Sequence, residues 1–277
     1  MTATAAGTLF VVSTPIGNLG DFSFRAVEVL GQVAAVLAED TRHSKHLLDH
    51  YEIKAPLVPY HEHNEAKTTP RLVARLQAGE SLALISDAGT PLLSDPGARL
   101  VRAAADAGIT VSAVPGASAL LAALVSSAIA LDRFTFYGFL SRKGSERRAA
   151  IDEIVTLRHA AVVYEAPSRV ADTLADLVAA GAGGRAAAVA RELTKQYETT
   201  LRGTVATLSA YYSEVPPRGE VVIVIAGADV PVSATEEELR TRVVQLRGEG
   251  HSPRDVAALL ASEMGAARNL AYRLAHE

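Results

Sequence analysis

Residues Ser86–Gly97 read S-D-A-G-T-P-L-L-S-D-P-G, two turns back to back. The apolar run Ser81–Ile85 precedes it, and the helix-like run Ala98–Ala107 follows. Its twelve residues include two Gly, two Pro, two Asp, two Ser and one Thr. Gly opens backbone conformations closed to other residues, Pro fixes φ, and Asp and Ser offer oxygens to nearby backbone donors. Two such turns at the end of a buried strand make the crevice in which α/β folds bind ligands.

Outward from that loop the pattern repeats. Strands are predicted at Leu9–Ser13, Ala34–Ala38, Leu57–Tyr60, Ser81–Ile85 and Thr110–Val114. Helical spacing fills the intervals at Phe22–Val33, His43–Tyr51, Ala66–Gln77 and Ala98–Ala107, with Pro70 placed in a first turn, where proline is tolerated. Strict β-α alternation predicts a mostly parallel sheet covered by helices.

Pro115-Gly116-Ala117-Ser118 starts a second unit. A small-residue helix at Ala119–Ala130 leads to strand Phe134–Phe139, helix Ser145–Leu157, strand Ala161–Tyr164, helix Ser168–Ala179 and strand Ala186–Ala190. The polar, hairpin-like stretch Arg191–Arg202, helix Val205–Tyr212 and strand Glu220–Ala226 complete a mixed α/β or α+β unit. Thr235–Arg247 is a charged helix with an acidic first turn, which suits the helix dipole. Two short helices about Gly265 then suggest a helix-turn-helix, its last helix carrying Arg268, Asn269, Tyr272 and Arg273. The expected domains are 1–116, 117–229 and 230–277.

Composition narrows the chemistry. With 277 residues, 49% of them apolar, the chain has material for a large core. No apolar run reaches the roughly 18–20 residues that span a bilayer, and M-T-A-T-A-A-G lacks a secretory order, so a soluble cytoplasmic protein is expected. The absence of cysteine excludes disulfides, thiolate nucleophiles and cysteine metal sites. His61 and His63 are the nearest His pair, short of a zinc ligand set, and no metal is expected. A net charge of −4 argues against a uniformly basic nucleic-acid surface but leaves room for a local patch.

Familiar cofactor motifs fail. Thr14–Asp21 has glycines at 17 and 20 but lacks the third Gly of a dinucleotide fingerprint; neither a phosphate loop nor a Gly-x-Ser-x-Gly elbow is present. What remains is a set of turns at strand ends: 14–21, 39–42, 86–97 and 115–119.

These turns belong to an ordered series: P-I-G-N-L-G-D, A-E-D-T-R, S-D-A-G-T-P-L-L-S-D-P-G, V-P-G-A-S-A, Y-G-F-L, Y-E-A-P-S-R, R-E-L-T-K and R-G-E-V-V-I-V. The series resembles that of the ribosomal RNA small-subunit methyltransferase I family, within the tetrapyrrole-methylase superfamily. It runs from about residue 8 to 227, and the tail is similar to that family's small helical domain. The resemblance implies the class III methyltransferase fold: two α/β domains with S-adenosylmethionine folded between them, a C-terminal helical domain, and a homodimer. It also implies methylation of the ribose 2′-hydroxyl of cytidine 1402 in 16S rRNA, within the 30S subunit.

By position in that series, Thr14, Pro15, Ile16 and Gly17 are assigned to the cofactor pocket. So are Asp87, Ala88, Gly89, Thr90 and Pro91, then Leu93, Ser94 and Asp95, then Ser118, Ala119, Phe139 and Leu140. Asp87 and Ser118 are also capable of capping turns or helices. Candidate bases or orienters are Glu39, Asp40 and Glu192, with the cluster His61-Glu62-His63-Asn64-Glu65 beside them; the residue types do not choose among these. Arg42, Arg142, Lys143, Arg147, Arg148, Arg191 and Arg268 are assigned to RNA, with Arg158, Arg169 and Arg273 extending the surface. Two other readings stay open: a precorrin-type methyltransferase, and a non-catalytic RNA-binding assembly factor.

Overall fold

The computed structural model describes residues 6–130, 132–228 and 234–277. The expected boundary at 229/230 lies outside the described residues.

Five short strands, β1 (Thr8–Val12), β2 (Ala35–Ala38), β3 (Leu57–Pro59), β4 (Leu82–Ile85) and β5 (Thr110–Val114), form one sheet in the order β3-β2-β4-β1-β5. Every pairing in it is parallel. Helices α1 (Phe24–Gln32), α2 (Thr41–His50), α3 (Glu65–Gln77) and α4 (Ala98–Asp106) supply the crossovers. Alternate strand residues face opposite layers. Val12, Val36, Ala83 and Ile85 pack with Ala26 and Leu30 of α1 and Leu48 of α2, whereas Leu9, Leu37, Leu82 and Leu84 pack with Leu72 and Leu76 of α3 and Leu100 of α4. Burial on both faces explains why β2 and β4 are continuous apolar runs.

α5 (Ala119–Ser127) stops three residues short of the expected Ala130, closed by a left-handed Ala128. The second sheet contains β6 (Phe134–Phe139), β7 (Ala160–Glu165), β8 (Ala186–Arg191), β9 (Thr199–Thr204) and β10 (Val221–Ile225), in the order β6-β7-β10-β8-β9. It is mixed: β6 and β7 are parallel, and the other pairings antiparallel. Helices α6 (Ser145–Thr156), α7 (Val170–Leu177) and α8 (Val205–Glu214) cover one face through Ile151, Ile154, Leu174, Leu177 and Leu208. α5 covers the other through Leu120, Ala123 and Leu124, and Ile16 of the first unit joins that layer.

β9 (T-T-L-R-G-T) was not anticipated as a strand: it is an edge strand with a largely exposed face, so no apolar alternation marks it. Pro70 lies inside α3, which begins at Glu65, and not in its first turn. The tail folds α9 (Glu236–Gly248), α10 (Pro253–Glu263) and α11 (Arg268–His276) around Leu239, Leu246, Val256, Leu260 and Leu274. Among the described residues no helix is long and apolar enough to cross a membrane.

Candidate active site

The loops at the ends of β1 and β4 are tied into one wall. Thr14 and Gly89 exchange backbone hydrogen bonds of 2.9 and 3.1 Å. Thr14 Oγ1 donates to the Ser86 carbonyl at 3.1 Å, and Ser86 Oγ donates to that of Gly89 at 3.0 Å. The Ser13 and Thr90 hydroxyls lie 2.9 Å apart, and Thr90 Oγ1 donates to the Ala117 carbonyl at 3.2 Å, joining the third loop. Gly89 holds φ at 84°, which a residue with a β-carbon adopts only under strain. Leu92 and Ser94 hold φ at 75° and 71°, and Glu192 and Thr194 across the cleft hold 52° and 66°. Such strain persists only where surrounding structure enforces it, and it gathers at functional sites.

Between the two sheets these loops enclose a cleft of about 480 Å³, within the range of small-molecule sites. The first unit contributes Ile16, Glu39, Asp87, Ala88, Gly89, Thr90, Leu93, Ser94 and Asp95. The second contributes Ser118, Ala119, Phe139, Tyr164, Glu165, Ala166, Pro167, Leu193 and Gly219–Val222. Most of the residues assigned to the cofactor from the sequence therefore converge. Thr14, Pro15 and Gly17 do not line this cleft; with Ser86, Asp87, Leu19, Ser44 and Leu47 and the imidazoles of His43 and His46 they line a second cavity of about 220 Å³. Asp87 borders both. Pro91 and Leu140 line neither: Pro91 is buried, and Leu140 packs in the second core.

The cleft is acidic. Asp95 is pushed up to about 6, first by burial and then by Glu39 and Asp87. Glu39 is also raised, by partial burial and then Asp87, with His61 opposing. Asp87 Oδ1 accepts the Asp40 backbone N–H at 3.2 Å. Ser118 makes no capping bond at the start of α5, which leaves its hydroxyl available to the cleft. Tyr164 Oη accepts the Leu120 N–H at 3.2 Å, and its ring meets Phe136 and Phe139 edge-on with centroids 4.8 and 5.6 Å away. The Phe139 ring is 59% exposed at the cleft.

The other two base candidates have structural roles. Asp40 caps α2, accepting from Arg42 and His43 backbone N–H groups at 2.8 and 3.4 Å, and the Arg42 side chain holds its carboxyl well below the usual range. Glu192 accepts the Glu220 N–H at 3.0 Å and pairs with Lys195 at 2.9 Å, and both interactions lower it. His61, Glu62, His63, Asn64 and Glu65 form the turn into α3 and do not line the cleft; Glu65 pairs with Arg99 at 3.2 Å.

The basic residues divide similarly. Arg142, Lys143 and Arg148 are exposed around the start of α6, and Arg268 is exposed at the start of α11. Arg147 is corrected to a structural residue: it is 8% exposed, donates from Nε to Asp176 at 2.8 Å and from Nη2 to Thr173 at 3.0 Å. Arg169 also turns inward, pairing with the buried Glu165 at 3.3 Å and donating to the Leu140 carbonyl at 2.8 Å. Arg191 donates to Thr199, Arg218 and Tyr197, and Arg42 to Asp40.

Tyr164–Pro167, Leu193 and Gly219–Val222 were not assigned to the pocket from the sequence. Their signal lay in Y-E-A-P-S-R, R-E-L-T-K and R-G-E-V-V-I-V, three turns that only the folded second sheet brings opposite Ser86–Gly97.

Comparison with known proteins supplies the rest. Residues 8–209 match the model of the Tetrapyrrole (Corrin/Porphyrin) Methylases. The chain is 46% identical over 274 residues to ribosomal RNA small subunit methyltransferase I of Synechocystis sp., covering 98% of each chain. It is 49% identical to the protein of that name from Xylella fastidiosa (strain Temecula1), covering 96% of this chain and 98% of the relative. Among solved structures, uroporphyrin-III C-methyl transferase of Thermus thermophilus, complexed with S-adenyl homocysteine, superposes with a TM-score of 0.57 at 15% identity, over 79% of this chain and 97% of its own. A conserved hypothetical protein of Aeropyrum pernix K1 superposes with a TM-score of 0.64 at 16% identity, over 98% of this chain and 96% of its own. At such identities these two structures speak to fold alone.

Proposed function

We propose that this chain, which belongs to the ribosomal RNA small subunit methyltransferase I family of tetrapyrrole methylases, methylates the ribose 2′-hydroxyl of cytidine 1402 in 16S rRNA. It is an S-adenosylmethionine-dependent rRNA methyltransferase; the nucleotide, the 2′-oxygen, the 30S context, the homodimer and the cytoplasmic setting are our reading. The single observation that carries the site is the 480 Å³ cleft in which the loops after β1, β4 and β5 meet the second sheet.

The residues present fit this cofactor. Backbone edges at Asp87–Thr90 and the Ser118 hydroxyl offer donors and acceptors for a ribose and an amino-acid end, and Phe139 offers an exposed ring to a base. Asp87, Asp95 and Glu39 put negative charge where a sulfonium and an ammonium need it. When bound, S-adenosylmethionine supplies an activated methyl group on sulfur. The chain aligns the acceptor with that group, and well-oriented reactants gain roughly 7–11 kcal/mol this way.

A ribose hydroxyl is a weak nucleophile until its proton leaves. Of the three base candidates, Glu39 alone stands at the cleft and is raised toward working pH, so we assign it the proton of the acceptor hydroxyl. The exposed Arg142, Lys143 and Arg148 are assigned to RNA phosphate.

Transfer of tritiated methyl from S-adenosylmethionine to 30S subunits lacking the modification tests the reading. Label mapped to a cytidine 2′-oxygen is the expected result. Label on a tetrapyrrole alone would overturn it in favour of a precorrin-type enzyme, and no label would favour an assembly factor.

A further inference from the structure

We infer that the 220 Å³ cavity beside α2 receives the pyrimidine base of the nucleotide that carries the acceptor hydroxyl, its ribose reaching past Asp87 toward Glu39 in the large cleft; the inference rests on the RNA-methylation reading above. The cavity adjoins the large cleft at Asp87. Ile16 faces the large cleft, Thr14, Pro15 and Gly17 face the small cavity, and Asp87 borders both. An acceptor must come within about 3–3.5 Å of the carbon it attacks, so its subsite must adjoin that of the methyl donor. Among the described residues this cavity meets that condition.

Its size and chemistry select the occupant. At about 220 Å³ it is less than half the size of the large cleft, on the scale of one pyrimidine ring and not of a macrocycle. His43 and His46 line it from successive turns of α2, and an imidazole both stacks on a base and hydrogen-bonds its edge. Ser44, between them, is 2% exposed, and its Oγ has no hydrogen-bond partner. A buried hydroxyl left unpaired is costly, and a base edge has the donors and acceptors to complete it. Enzymes acting on one nucleotide of a structured nucleic acid commonly extrude it into such a pocket. The exposed Arg42 and Lys45 lie on the same helix and offer positive charge to the adjoining phosphates.

The test compares the full-length parent with the double variant His43→Ala/His46→Ala, whose two sites are exposed, and with Ser44→Ala. For the double variant we expect kcat/KM on 30S subunits to fall at least tenfold. Its Kd for 30S, measured by filter binding without S-adenosylmethionine, is expected to rise at least threefold. Calorimetric affinity for S-adenosylmethionine and the melting temperature should stay as in the parent. Ser44→Ala should lower kcat/KM several-fold with the same cofactor affinity. An active parent together with a double variant whose kcat/KM and 30S Kd both stay within twofold overturns the subsite alone. Parallel loss of cofactor affinity also overturns it, because the histidines would then serve the cofactor. A parent inert on 30S overturns the RNA reading itself, and the subsite with it.

Discussion

The side chain of Lys195 lies directly over the α-carbon of Gly17: a β-carbon built at 17 would stand 2.3 Å from Lys195 Cγ. Gly17 holds φ at 141°, and Lys195 is itself clamped by Glu192 and Glu220 at 2.9 and 3.1 Å. Gly17 thus serves the joint between the two α/β units as well as its own turn. Lys195 cannot withdraw freely, since the atom met is near the stem of a side chain whose tip is held.

Gly17→Ala is therefore expected to lower stability by about 1–2 kcal/mol from backbone strain alone and to weaken S-adenosylmethionine binding as the units part. Adding Lys195→Ala removes the clash but not the strain, so it should recover most of the cofactor affinity and little of the melting temperature. Calorimetry and thermal melting on the two variants separate these effects. Equal cofactor affinity in the parent and Gly17→Ala would show that Lys195 adjusts without moving the joint.

Neighbouring arginines in α6 should behave in opposite ways. Arg147 ties α6 to α7, whereas Arg148 stands in solvent. Arg147→Ala is expected to cost about 2 kcal/mol, because it removes charge-assisted bonds from a nearly buried group while Asp176 stays partly hydrated. Arg148→Ala should stay within about 0.5 kcal/mol. Reversing Arg142, Lys143 and Arg148 to Glu together should lower kcat/KM on 30S subunits at least tenfold with unchanged cofactor affinity. Urea midpoints and steady-state assays decide both points, and an Arg147→Ala variant as stable as the parent would refute the structural role.

Asp95 sets a pH dependence. Its folded value of about 6 lies above the ordinary 3.8, so between those values the folded chain binds the proton more tightly than the unfolded chain. The stabilising contribution is complete below about pH 4 and is lost as pH rises through 6. Asp95→Asn stays neutral throughout. It should melt higher than the parent at pH 8 and together with it below pH 4. Cofactor affinity of the parent should rise from pH 5 to 7 as the carboxylate forms opposite a cationic ligand, and the Asn variant should lose that rise. A flat parent profile would place Asp95 away from the ligand's positive charge.

The sequence made the first sheet legible because its central strands β2 and β4 are buried on both faces and its helices on one, so apolar runs and helical spacing stand apart. β10 was equally clear: five successive residues, Val221–Ile225, are all buried. β9 was not, since an edge strand such as Thr199–Thr204 needs no apolar alternation. Within the site, Ser86–Asp95 was legible from turn chemistry, and the ordered motif series assigned it a ligand. Burial of a charged side chain was not legible. Arg147 and Arg148 are adjacent and chemically alike, and only the position of Asp176 and Thr173 on α7 turns one of them inward. The separation of Ile16 from Thr14, Pro15 and Gly17 likewise needed the fold, because a loop divides two cavities only when something packs on each side.

Glu39 and Asp40 offer the sharpest contrast, being adjacent carboxylates at the end of β2 with different surroundings. Asp40 has its oxygens committed to the first turn of α2 and to Arg42. Asp40→Ala should lower the melting temperature through the lost helix cap and leave kcat nearly intact. Glu39 has no such commitment; it lines the cleft beside Asp87 and is raised toward the range where a carboxylate accepts a proton efficiently. Glu39→Gln keeps the shape and removes the base, so kcat on 30S subunits should fall by about 10²–10⁴-fold. Affinity for S-adenosylmethionine should change little, since Asp87 and Asp95 remain. The kcat profile of the parent should also rise with pH on its acid limb as Glu39 ionises, a limb that the Gln variant should lack. A Glu39→Gln enzyme with parental kcat would move the proton to another acceptor, with Asp87, which borders both cavities, the next to replace.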